Sequence, residues 1–432
     1  MSFALVGARI IVGDGTEIDT GSVRVEDGRI TAVEKGRSLS ADRVADLGGR
    51  TLMPGMIDIH SHMVGGNKAR GGWSPTGMKM TDPVIKAVLD SVEGAHITLN
   101  AGITTVREVG GRDYIDIFLR RAQSAGQILA PRILGCGPGL FMTGGHGAFL
   151  EPGHEADGVV EVVQRVRELV ANNVDALKIF STEGPETLGS WFTQQYTREE
   201  LAAAIAEAHR LGRMVGVHAY SDAAINTCVA LGADTIEHGW YLSEETCALM
   251  KERGTYLAPT LGVVVDANLY GQAYEIADHD IPGDEEEVVR DHMTMAFASG
   301  VKVALGSDCG GFGPRRLGRN ADELVHYVEC GMAPMRALMS ATQESARALH
   351  LDAEVGTIEV GKAADLLVVD GDPIADINLV VTAVVGVLQA GRVIRDDLGI
   401  LHQFGIRQPG GRAVPRVAGA KGGRVRETQG GA

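Results

Sequence analysis

The stretch GMIDIHSHM, residues 55–63, ends a short apolar run on two histidines one residue apart. Read as a strand, it turns His60 and His62 to the same side, because strand side chains alternate with period two. Two imidazoles on one face suit a metal clamp. They equally suit ordinary polar residues at a strand end, so the pair gains meaning only from what surrounds it.

Downstream, seven more apolar runs follow: GITTVREV (102–109), PRILGCG (131–137), VDALKIF (174–180), RMVGVHA (213–219), DTIEHG (234–239), TYLAPT (255–260) and VKVALGSD (301–308). Helical patterns separate several of them, such as DGVVEVVQRVRELVANN and TREELAAAIAEAHRLG. The second of these opens on Thr197 with Glu200 three residues later, a capping-box spacing. Eight strand-like runs interleaved with helices is the count of an α/β (β/α)8 TIM barrel. Upstream, VRVEDGRITAVE reads as a hairpin turning at Asp27-Gly28. ADLLVVDGDP (364–373) and VVGVLQAGRVIRD (384–396) repeat that texture at the far end. The expected organisation is a small composite β-sandwich domain from residues 1–55 plus 352–402, a barrel over 56–351, and a flexible basic tail over 403–432. The Gly- and Met-rich segment 63–80 suits a mobile loop over the barrel mouth.

With 432 residues, 44% of them hydrophobic, the chain can bury a large core and does not read as disordered. A formal charge of −16 argues against nucleic acid as a partner. The opening MSFALVGARIIVGDGTE shows no secretory signal, and no apolar run is long enough to span a bilayer. The five cysteines are scattered with no CxxC pair, so they read as reduced thiols. The expected setting is cytoplasmic, without a membrane.

In a barrel of this kind, chemistry sits at the C-terminal ends of the strands. His60 and His62 end the first run, Lys178 lies near the end of the fourth, His218 ends the fifth, His238 the sixth and Asp308 the eighth. Singly, each has a bland reading as a hydrogen-bonded, snorkelling or turn-forming residue. Together and in order, they read as a metal site. Imidazole and carboxylate suit zinc, manganese and related ions. A buried lysine that has lost its proton can add carbon dioxide, and the resulting carbamate has two oxygens to bridge two ions. Two close ions would lower the pKa of a shared water.

On the motifs GMIDIHSH, ALKIF, VGVHA, TIEHG and LGSD, the chain resembles the amidohydrolase superfamily over about residues 3–397. Lys178 points to its binuclear, carbamylated-lysine subgroup of prolidase-like and imidazolonepropionase-related enzymes. The resemblance implies two divalent metal ions, zinc being the expected one, with carbon dioxide incorporated on Lys178. His60, His62 and Asp308 would hold the more buried ion, His218 and His238 the second, and the Lys178 carbamate would bridge them. Asp308 would also shuttle the proton. The implied reaction is attack of a metal-bridging hydroxide on an amide or peptide-like carbonyl, with Xaa-Pro dipeptides or N-acyl amino acids as candidate substrates. Xenobiotic amides, carbamates, phenylureas or esters are the alternative. A homo-oligomer is expected from the same likeness.

Three residues are candidate substrate contacts. His146 sits in the Gly-rich loop MTGGHG and could reach a substrate carbonyl or carboxylate; it could also simply be exposed on a tight turn. Tyr220 follows His218 by two residues and could bind a carboxylate or oxyanion, or merely pack. Arg107 ends the second run and could pair with an anionic substrate group. A structural ion pair with Glu108 or Asp308 is the competing reading.

Overall fold

The computed structural model of the protein describes residues 2–64, 83–148, 154–184, 192–265, 285–310 and 316–404. The segment 63–80 and the tail 403–432 therefore lie almost wholly outside the described residues.

Strands from both ends of the chain share one eight-stranded sheet. Its N-terminal members are β1 (Ser2–Ile11), β2 (Glu17–Glu26), β3 (Arg29–Lys35), β4 (Arg43–Asp46) and β5 (Thr51–Pro54). Asp27 and Gly28 both take positive φ, 49° and 83°, the conformation of a primed two-residue hairpin turn between β2 and β3. Later in the chain come β15 (Leu366–Val369), β16 (Val384–Gln389) and β17 (Arg392–Asp396). β5 joins the two groups: it runs parallel to β1 and antiparallel to β15. The β2–β3 turn and the β16–β17 turn touch, since a Cβ built on Gly391 would lie 3.0 Å from Gly28 Cα. One apolar cluster takes Leu5, Ile10, Val23, Val25 and Ile30 together with Leu366, Val368, Leu388 and Val393.

The middle of the chain forms a TIM-barrel-like α/β arrangement. Its parallel strands are β6 (Met56–His62), β7 (Ile103–Glu108), β8 (Arg132–Gly135), β9 (Ala176–Phe180), β10 (Met214–Ala219), β11 (Thr235–His238), β12 (Tyr256–Ala258), β13 (Lys302–Val303) and β14 (Cys309–Gly310). They hydrogen-bond as two sheets, β14-β6-β7-β8 and β13-β12-β11-β10-β9. Past β8, the Leu140 N–H donates to the Lys178 carbonyl (2.8 Å) and the Phe180 N–H to the Leu140 carbonyl (3.0 Å). These strands are buried residue after residue, as expected when helices cover a parallel sheet.

The eighth run differs from its sequence reading. Only Lys302–Val303 and Cys309–Gly310 are strand. The chain changes partner between them: the Ala304 N–H donates to Leu257, whereas the Ile59 N–H donates to Leu305 and the Asp308 N–H to His60. That crossing from β12 to β6 breaks a regular ladder, and it brings Asp308 against the two histidines.

Helices supply the outer cover. Among them α1 (Pro83–Asn100), α2 (Ile115–Ser124), α3 (Gly158–Ala171) and α4 (Arg198–Arg210) follow the early strands. In α4 the capping box forms: Thr197 Oγ1 accepts from the Glu200 N–H, and the Glu200 carboxylate accepts from the Thr197 N–H (2.8 Å). Its residues Leu201, Ala204, Ile205 and Ala208 are buried along one face. Among the described residues no helix is long and apolar enough to cross a membrane. All five cysteines are buried, and none of them is in a disulfide.

Asp58, invisible as a key residue in the sequence, ties this architecture at the seam. Its carboxylate accepts from the His60 N–H (3.0 Å), the Ser307 N–H (3.1 Å), Ser307 Oγ and Asn320 Nδ2 (2.8 Å), all fully buried. Removing it takes an acceptor from four buried donors at once, of which the Ser307 N–H keeps the His60 carbonyl and Asn320 Nδ2 keeps Ser307 Oγ. Asp58→Ala is expected to lower the unfolding free energy by about 3 kcal/mol or more, read by equilibrium urea unfolding. A loss below about 0.5 kcal/mol would show that the knot carries no weight.

Candidate metal centre

Four strands and the residue before a fifth deliver polar side chains to one place. His60 and His62 come from β6, Lys178 from β9, His218 from β10 and His238 from β11, with Asp308 just before β14. The His218 and His238 ring centroids are 4.5 Å apart, His60 and His238 5.1 Å, and His60 and His62 5.4 Å. Asp308 Oδ1 lies 3.0 Å from His62 Nε2 and 3.5 Å from His60 Nε2. His60, His238 and Asp308 offer donor atoms within 4.8 Å of one another. This tight trio pairs His60 with His238, whereas the sequence reading grouped His60 with His62.

Backbone conformation makes the convergence possible. In β11 the alternation points Thr235 and Glu237 inward, so His238 ought to face away. Instead His238 takes φ +71°, which swings its ring back toward the centre. Thr260 and Asp308, at the ends of the next two runs, also take positive φ, +51° and +53°. Such conformations cost free energy in L-residues and concentrate at functional sites. Thr260 Oγ1 hydrogen-bonds His238 Nδ1 at 2.7 Å, leaving Nε2 as the nitrogen available to an ion.

The electrostatics favour metal-binding protonation states. Burial holds His62, His218 and His238 below the ordinary imidazole range, so they are neutral and carry lone pairs. Burial pushes the Asp308 carboxyl up, but the adjacent His60 and His62 more than reverse this and keep it ionised. Lys178 is 2% exposed, and burial lowers its amine to about 8 against the pull of Glu237 and Asp308. Its Nζ sits 5.2 Å from the Phe180 ring centroid. No hydrogen bond or ion pair ties the amine among the described residues. Three neutral imidazoles, an ionised carboxylate and an unanchored, easily deprotonated amine fit a divalent-metal site.

The substrate candidates divide. His146 lies over the site, its ring 4.7 Å from that of His218 and 5.3 Å from that of Phe180. Tyr220 is 4.6 Å from His218 and 5.0 Å from His238, ring to ring. Arg107 requires a correction. It is fully buried beneath the imidazoles, donates from Nε to the Ile59 carbonyl (2.6 Å), and pairs with Glu237. It has neither a route to a substrate nor the expected partners Glu108 and Asp308. Glu108 instead accepts from the Met63 and Val64 N–H groups and steers the chain leaving β6.

Sequence reading passed over Glu237 and Thr260. Glu237 was detectable, since an acid in the middle of the strand-like run DTIEHG needs a partner once that strand is buried. Thr260 left no comparable signal, because its role depends on a left-handed backbone.

The sequence pattern of the Amidohydrolase family matches residues 51–395. Ochratoxinase from Aspergillus niger is 27% identical over 364 residues, spanning 76% of this chain and 72% of that protein. Imidazolonepropionase from Sphingopyxis alaskensis is 28% identical over 397 residues, spanning 82% and 88%. The crystal structure of a Xaa-Pro dipeptidase with bound methionine in its active site aligns with a TM-score of 0.80 and 29% identity, covering 91% of this chain and all of that one. Because the family match runs from the donor-bearing strands to the return into the terminal sheet, the chain belongs to the amidohydrolase family and is a hydrolase acting on C–N bonds.

Proposed function

We propose that the protein is a binuclear metal hydrolase that cleaves an amide or peptide-like C–N bond next to a carboxylate, as in Xaa-Pro dipeptides or N-acyl amino acids. The observation that carries this reading is Lys178: a buried amine, titrating near 8, with no hydrogen-bond or ion-pair partner among the described residues, facing imidazoles and a carboxylate. The likeness to a Xaa-Pro dipeptidase supports the substrate class. In this reading the parallel strands close as a (β/α)8 barrel over 56–351. Residues 1–55 and 352–402 curl into a β-sandwich, supported by the contact between the Gly28 and Gly391 turns.

His60, His62 and Asp308 would hold the inner ion, His218 and His238 the outer, with zinc the expected metal. The neutral Lys178 Nζ would add to carbon dioxide and release a proton, and the resulting carbamate would supply further oxygen ligands to the ions. When bound, the ions supply an activated water and polarise the scissile carbonyl. Asp308, held ionised, takes the proton of the attacking water and returns it to the leaving nitrogen. His146 and Tyr220 orient the substrate's carbonyl and carboxylate.

Metal analysis of protein loaded with zinc or manganese in bicarbonate is expected to find two ions per chain, with turnover of a Xaa-Pro or N-acyl substrate. Absence of bound metal, or no hydrolysis across amides, dipeptides and carbamates, would refute the proposal. Asp308→Asn is expected to lower turnover by about 10²–10⁴-fold; a near-normal rate removes Asp308 from proton transfer. A third measurement follows from the titration of Lys178. The amine is reactive when neutral, so at pH 7.5 about a quarter is reactive, against about a thousandth for an ordinary lysine. Reactivation of stripped enzyme, at constant dissolved carbon dioxide, is expected to rise with pH and level off above about 8. A rate still climbing tenfold per pH unit at pH 10 would contradict it.

A further inference from the structure

We infer that Glu237 and Arg107 are positioning residues, a buried relay that fixes which nitrogen of His60 faces the metal site. This rests on the metal-holding reading above. Glu237 Oε2 lies 2.8 Å from His60 Nδ1. A carboxylate only accepts, so Nδ1 carries the proton and Nε2 presents its lone pair on the side of Asp308, 3.5 Å away.

The other carboxylate oxygen is occupied by design of the surroundings. Oε1 accepts from Arg107 Nη2 and from Thr235 Oγ1, and Thr235 Oγ1 in turn accepts from Arg107 Nη1 at 3.0 Å. Arg107 Nε is spent on the Ile59 carbonyl, directly before His60. Each guanidinium nitrogen thus has an acceptor, and the carboxylate cannot rotate away from the imidazole without breaking two further bonds. Gly216 on β10 makes room: a Cβ there would sit 2.6 Å from Glu237 Oε1 and 3.0 Å from Arg107 Nη1.

A purely structural role explains this poorly. Taking an ion pair fully out of water costs more than packing apolar residues of the same volume. Here one oxygen of the acid is reserved for a ring whose opposite nitrogen faces the donor cluster. Carboxylate-to-imidazole hydrogen bonds behind a metal fix tautomer and ring orientation and raise ligand basicity.

The test loads stripped enzyme with cobalt(II) in bicarbonate and measures affinity by chelator competition alongside the ligand-field spectrum. For Glu237→Gln, whose amide can donate to Nδ1 and reverse the tautomer, the tighter of the two affinities is expected to fall about 10–100-fold. The spectrum of that site should shift, while the weaker site keeps its affinity. A folded variant with wild-type affinities and spectrum overturns the relay. Wild-type protein that binds no cobalt overturns the metal reading itself. Should Glu237→Gln fail to fold, Thr235→Val removes one donor to Oε1 and the acceptor of Arg107 Nη1 while leaving the Oε2 contact to His60 in place; a several-fold weaker tight site with the same spectral shift supports the relay, and no change refutes it.

Discussion

A buried ion pair between Arg107 and Glu237 sits under the donor cluster, and the polar interior is organised around it. Both side chains are shut off from solvent, so neither charge survives without the other. The guanidinium binds β6 through the Ile59 carbonyl and β11 through Thr235 and Glu237, while its own chain belongs to β7. Burial alone would push the Glu237 carboxyl up; Arg107 and His60 reverse this and hold it well below the usual carboxylate range. The result is an ionised carboxylate, matched by the guanidinium, beneath the imidazoles.

Above that floor the strands end in conformations that regular β-structure forbids. His238, Thr260 and Asp308 each take a left-handed backbone at the end of its run, and the His238 ring meets Thr260 Oγ1 there. Asp58 secures the seam where two of these donors meet, by accepting from both His60 and Ser307 backbone groups. Rigidity of this kind suits a metal site, whose ligands must be held before the ion arrives.

Much of this was legible in the residues. The strand-like runs coincide with β6 to β12 to within two or three residues at either end, because strands covered on both faces read as short runs rich in β-branched and apolar residues. Thr197 and Glu200 form their capping box, since capping depends on four consecutive residues and little else. The histidines and Asp308 named from their strand-end positions lie together in the fold. The eighth run was legible only in part, because its hydrogen bonds pass from β12 to β6 midway and no local pattern marks the transfer.

The sequence alone determined which residue types stand at strand ends and in what order, since period-two alternation and apolar runs are local properties. Tertiary structure alone decided their partners. Arg107 could pair with Glu108, Asp308 or a substrate on sequence grounds; burial beneath β6 and β11 gave it Glu237 instead. His238 faces its neighbours only through a positive φ that no residue-level rule assigns to histidine. Lys178 acquires a proton affinity unlike that of a surface lysine because folding removes water from it. Long-range contact and desolvation arise only when segments more than a hundred residues apart pack together, and those two effects turned a set of ordinary side chains into a candidate metal centre.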